Sequence, residues 1–169
     1  MANSAAPLMN IFGTTDHLIP LILDDLSDSE SRARARGEHG PSIAWHLGHL
    51  LSYRHQGLQM LGQTDDNPYE AAFGSSPATA GGGYPTTAEL SEQWSRVGEQ
   101  FMGALSSATE EALAAPVRGG AHAAESVRDK IAFIAFHEGY HLGSIAALQK
   151  TIGKSSPPEK IMAAMQTGS

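Results

Sequence analysis

A chain of 169 residues with no cysteine and a formal net charge of −7 excludes several classes at once. Disulfides, thiolate metal sites and a cysteine nucleophile are ruled out, and the acid excess argues against a nucleic-acid partner, which would call for a basic stripe. Hydrophobic residues make up 41%, which predicts one domain over 1–169 with its own core.

The N-terminus shows no basic segment followed by an apolar run, and no uninterrupted apolar stretch reaches membrane-spanning length. A cytoplasmic protein with no membrane partner is therefore expected. The first predicted helix covers about 8–26, and Pro20 in its middle is expected to kink or split it. "SESRARARGEHG" follows as a connecting loop. A second helix starts at Pro41 and Ser42, both favourable at a helix start, and runs to about 61 before Gly62. Residues 63–84 are rich in Gly, Pro and Ser and read as an irregular insert: a pocket wall, a partner surface or a loose loop.

Thr86 and Glu89 form a capping-box pattern that opens a third helix, ending near 107. "TEEALAAPV" reads as a short helical turn stopped by Pro116, and "RGGAHAAES" as a loop. The longest helix spans about 125–152, and "SPPEKIMAAMQ" gives a short C-terminal helix. No stretch alternates convincingly with period two, so no strand is expected. The predicted class is all-α, a bundle of four main helices.

Histidines occur at 17, 39, 46, 49, 55, 122, 137 and 141. His137 and His141 are four apart and share a helical face with Phe133, Ile134, Ile145 and Leu148. Two imidazoles aimed into a bundle interior cannot both be charged cheaply, and a shared divalent cation meets their need. Zinc or nickel is the leading expectation, with iron or manganese behind. A third ligand is required, with one position left open for chemistry. His46 and His49 both flank the apolar arc of the second helix, and geometry alone leaves the choice open. His17 is a weaker candidate. His55 is expected to face solvent, and His39 and His122 to be exposed in loops.

"HEGYH" also matches the H-E-x-x-H pattern of zinc proteases. That reading needs a downstream third ligand, yet Ala147 stands at the histidine position and Glu159 is the only later carboxylate. Glu138 lies about 100° around the helix from His137. A metalloprotease is a minor alternative.

"PSIAWHLGHLLSYR" and "FHEGYHLGSIAAL" together resemble the DinB-like (DinB/YfiT-like) family. The family pattern H-x-x-Y-H-x-G-Q-I falls on His137, Tyr140, His141, Gly143 and Ile145, with Ser144 in place of the glutamine. The pattern S-x-x-x-x-L-x-H-L falls on Ser42, Leu47, His49 and Leu50. The resemblance implies that His49, rather than His46, joins His137 and His141 around the metal. It also implies an up-down-down-up four-helix bundle, often a homodimer. The activity implied is metal-dependent transfer or isomerisation with a low-molecular-weight thiol such as bacillithiol or mycothiol. Such a site suits a thiol-dependent S-transferase or a small-molecule hydrolase, acting on a small-molecule substrate. A non-catalytic, stress-related metal-binding bundle is the alternative. Glu138, Tyr53 and Tyr140 are the candidates for proton transfer, and Trp45 for lining the pocket.

Overall fold

The computed structural model describes residues 5–36, 39–64, 66–74, 78, 83–117 and 126–167. The first helix, α1, is Ala6–Leu23, with a proline in its first turn where a missing N–H costs nothing. It buries Phe12, Thr15, Ile19, Ile22 and Leu23, a stripe at helical spacing. Pro20 lies inside it and does not split it, one of the two outcomes expected there. Its ring lies on the exposed face, while Ile19 and Ile22 beside it are fully buried and hold the turn together.

The stretch expected to be a loop is more ordered than its composition suggests. Helix α2, Asp28–Ser31, opens with a Ser27–Glu30 capping box. Strands β1, Arg34–Arg36, and β2, His39–Ser42, then pair antiparallel, Arg34 opposite Ser42 and Arg36 opposite His39. This hairpin corrects the expectation of no strand. Strands of three and four residues are too short to show period-two alternation.

Ser42 ends β2 and caps α3, Ile43–Met60, its side chain accepting from the Trp45 N–H. Gly62 closes α3 at φ 80°, a conformation that favours glycine. In the irregular insert the short helix α4, Glu70–Phe73, folds back onto α3. The Thr86–Glu89 capping box starts α5, Thr87–Ser107, as the sequence predicts. After α6, Glu110–Ala114, comes α7, Val127–Thr151, started by a Ser126–Asp129 capping box. The expected loop around His122 lies outside the described residues. Helix α8, Pro157–Thr167, follows and is pinned to α1 by Lys160, whose Nζ donates to the Leu21 carbonyl and to Asp25.

The four long helices close a ring, with α1 and α3 each meeting both α5 and α7. Their inner faces supply Phe12, Leu47, Leu51, Leu58, Trp94, Val97, Phe101, Ile131 and Ile134, all 2% exposed or less. Phe12 and Phe101 meet edge to face at 4.8 Å. Each such buried side chain contributes about 1.5–3 kcal/mol, so the bundle is held chiefly by this apolar interior. The architecture is an all-α bundle. No described helix is long and apolar enough to cross a membrane.

Candidate metal centre

Helices α3 and α7 pack side by side, and each turns histidines toward the seam. The ligand atoms of His49, His137 and His141 lie within 4.8 Å of one another. The His137 Nε2 atom is 2.9 Å from His141 Nε2 and 3.3 Å from His49 Nε2. Nitrogens about 2.1 Å from a common ion would be about 3.0 Å apart at right angles and about 3.4 Å apart in a tetrahedron. The observed spacings sit at those values, so this donor set fits a divalent ion.

The far side of two rings is fixed. His49 Nδ1 donates to the Phe73 carbonyl at 2.5 Å, leaving the Nε2 lone pair facing the cluster. His141 Nδ1 meets His46 Nδ1 at 2.6 Å. With the proton on His141 Nδ1, its Nε2 is likewise free to bind metal. Such outer hydrogen bonds set tautomer and ring orientation at metal-binding histidines. His46, left open as a ligand by the spacing, is thus brought to the outer edge of His141 rather than to the convergence point. His17 is exposed on α1 and takes no part in the cluster.

Electrostatics favour neutral rings. Burial, then neighbouring His137, His46 and His49, push His141 down to about 3. Burial, then His49 and His137, push His46 down to about 4. Burial also lowers His49, opposed by its backbone hydrogen bonds. Neutral imidazole is the metal-binding form.

Aromatic side chains wall the cluster. Trp45 stacks on His49 at 4.6 Å and 14°. Tyr53 lies 4.3 Å from the His137 ring and 4.9 Å from His49. Its hydroxyl is pushed up by burial and then by Glu70. Tyr140 stands edge-on to His141 at 5.3 Å but is 64% exposed. A chamber of about 530 Å³ adjoins His46 and His141, bordered by Trp45, Tyr140, Leu148 and the β2 segment around Pro41. The described part of the 63–84 insert does not line it.

Glu138, between the two α7 histidines, faces the other way. It is fully buried, and Arg54 from α3 grips both of its oxygens, Nε to Oε1 at 2.6 Å and Nη2 to Oε2 at 3.0 Å. The same guanidinium reaches Asp16 at 2.5 Å and lies 4.0 Å over the Trp94 ring. Thr15 Oγ1 completes the set, 2.5 Å from Glu138 Oε2. Arg54 pays a desolvation penalty on burial, but Glu138 and Asp16 outweigh it and hold the guanidinium charged. Sequence reasoning missed Arg54, although the signal was present: it falls on the apolar stripe of Leu47, Leu51, Leu58 and Leu61.

His55 corrects another expectation. It is 1% exposed rather than solvated, with its ring 5.9 Å from Tyr69. The insert covers this face of α3. Glu70 Oε2 accepts from Ser52, Gln56 and Asn67, which ties α4 down. Phe73 then packs so close to Gly48 that an added Cβ would lie 2.7 Å from its ring. His39 is exposed as expected, though it sits on β2 rather than in a loop.

An antiparallel seam of imidazoles inside a helical ring defines a bundle protein with a three-histidine cluster compatible with metal binding. The chain belongs to the DinB superfamily, whose sequence profile matches residues 12–145, a span that holds both histidine motifs. Comparison with curated proteins gives no match.

Proposed function

We propose that His49, His137 and His141 hold a divalent ion, zinc or nickel first, at the centre of a metal-dependent enzyme acting on a small molecule. The observation that carries this reading is the convergence of three Nε2 atoms, two of them backed by outer Nδ1 hydrogen bonds. When bound, such an ion lowers the pKa of a coordinated water or thiol, so that a nucleophile exists at neutral pH. The protein supplies the rest. His46 and the Phe73 carbonyl orient the ligand rings, while Trp45 and Tyr53 shield their faces. Tyr53, its ring 4.3 Å from that of His137, carries a hydroxyl that can exchange a proton, and Tyr140 stands at the outer edge.

A sealed structural metal would need a fourth protein ligand. His46 turns its Nδ1 to His141 and His17 lies elsewhere, which supports an open position and catalysis over a merely structural ion. The Glu138 carboxylate is committed to Arg54 and Thr15, which weighs against the protease reading, where it would have to serve as base. Within the enzyme class we favour thiol-dependent transfer over hydrolysis, in a cytoplasmic homodimer, on the strength of the family.

His137→Ala tests the centre. One ion per chain in the parent and none in the variant, by elemental analysis after dialysis, is the expected result; full metal content in the variant sinks the reading. Conjugation of an electrophile by the zinc-loaded chain should then require an added low-molecular-weight thiol. Turnover that needs no thiol would favour hydrolysis.

A further inference from the structure

The chamber beside the cluster has a chemistry of its own. Its volume, about 530 Å³, is in the range of small-molecule sites. Pro41, Trp45, Ala147 and Leu148 make its walls apolar. Among the described residues lining it there is no Asp, Glu, Lys or Arg. Its side chains able to carry positive charge are the imidazoles of His39, His46 and His141, so with no ion at the cluster an anion would give up its hydration without an ammonium or guanidinium to replace it.

The inner hydroxyls are spent, while the buried Trp45 Nε1–H, without a partner among the described residues, is one donor left on the lining. Ser144 Oγ donates to the Tyr140 carbonyl, and Thr151 Oγ1 to the Leu148 carbonyl at 2.7 Å. His46 is different. Its Nδ1 faces His141 Nδ1, and no other hydrogen bond to its side chain occurs among the described residues. If His141 keeps its proton on Nδ1 to present Nε2 to the cluster, His46 must accept at Nδ1 and carry its own proton on Nε2. That Nε2–H is a donor without a partner, on a residue that lines the chamber.

We infer that this chamber binds an uncharged, largely apolar small molecule with one hydrogen-bond acceptor, such as an aryl ketone, seated against Trp45 and Leu148 and held at its acceptor by His46. The tautomer of His46 rests on the metal-centre reading; the shape of the chamber and its apolar walls do not.

The test is an NMR titration of the full chain, zinc-loaded to compare ketone with hydrocarbon and zinc-free to compare ketone with anion, following the Trp45 indole N–H, with three probes of one skeleton. These are 2-acetylnaphthalene, the anion 2-naphthoate, and 2-ethylnaphthalene, which has no acceptor. The ketone should saturate, with the anion at least about tenfold weaker and the hydrocarbon about fivefold weaker. His46→Phe should bring the ketone down to the hydrocarbon's affinity. Ala147→Trp should fill the chamber and abolish binding of all three while zinc per chain stays unchanged. Naphthoate binding the zinc-free chain as tightly as the ketone, no saturable shift, or ketone binding retained in Ala147→Trp would each overturn the inference. Loss of the ketone's advantage is read in the His46→Phe variant alone; an unchanged advantage there removes His46 from the proposal. A parent chain that takes up no zinc sinks the metal reading instead, and the same titration on the zinc-free chain then decides the chamber.

Discussion

Two buried polar clusters share helix α7 and differ in one respect. On one side, Glu138 and Asp16 converge on the Arg54 guanidinium, a cation the chain provides for itself. On the other side, His49, His137 and His141 converge on a point where no described residue provides one. The first cluster is closed: both Glu138 oxygens are matched, and the guanidinium is sandwiched against Trp94. The second consists of lone pairs of like kind, held together by packing and by outer hydrogen bonds. A protein that satisfies one buried polar cluster so completely has the means to satisfy another. That the histidines converge without an internal cation is compatible with their holding an external one. Neighbouring residues of one motif are thus divided between holding the bundle and equipping it.

The sharpest way to break this contrast is to remove the internal cation. Arg54→Ala leaves Glu138 buried and unpaired and should cost about 3–5 kcal/mol in urea unfolding. Arg54→Met combined with Glu138→Leu should recover much of the loss; a loss below about 1 kcal/mol in Arg54→Ala would show the network to be incidental. Next comes the external cation. Free zinc at a hundredfold excess over its dissociation constant should stabilise the parent by about 2.7 kcal/mol in the same assay, and His141→Ala not at all. His46→Ala should keep stoichiometric zinc but weaken affinity about 10–100-fold, as loss of an outer hydrogen bond does. Unchanged affinity, measured by competition with a chelator, would make His46 a mere neighbour. Tyr140→Ala, at an exposed site, should move stability by less than about 0.5 kcal/mol. A larger loss, read in the same unfolding assay, would place Tyr140 in the scaffold.

The long helices were legible because their signals are local. Helical spacing of apolar residues, Ser42 as a cap and the Thr86–Glu89 box each act within a few residues of the feature they specify. The pair His137 and His141 was legible for the same reason. What stayed hidden depends on contacts far apart in the chain. His46 and His49 flank the same arc, and the spacing could not rank them; their partners, His141 and Phe73, lie 95 and 24 residues away. His55 looked exposed because the segment that covers it belongs to an insert without periodicity.

The bond from His49 to residue 73 has a further consequence. The acceptor is a backbone oxygen, so every side chain at position 73 brings the same atom. Point substitutions there perturb the packing against Gly48 without removing the acceptor, whereas deleting one residue from the segment shifts the carbonyl itself. The orientation of a ring in the histidine cluster is thereby guarded against changes of letter and sensitive to changes of length, a constraint that an alignment of residue identities would pass over.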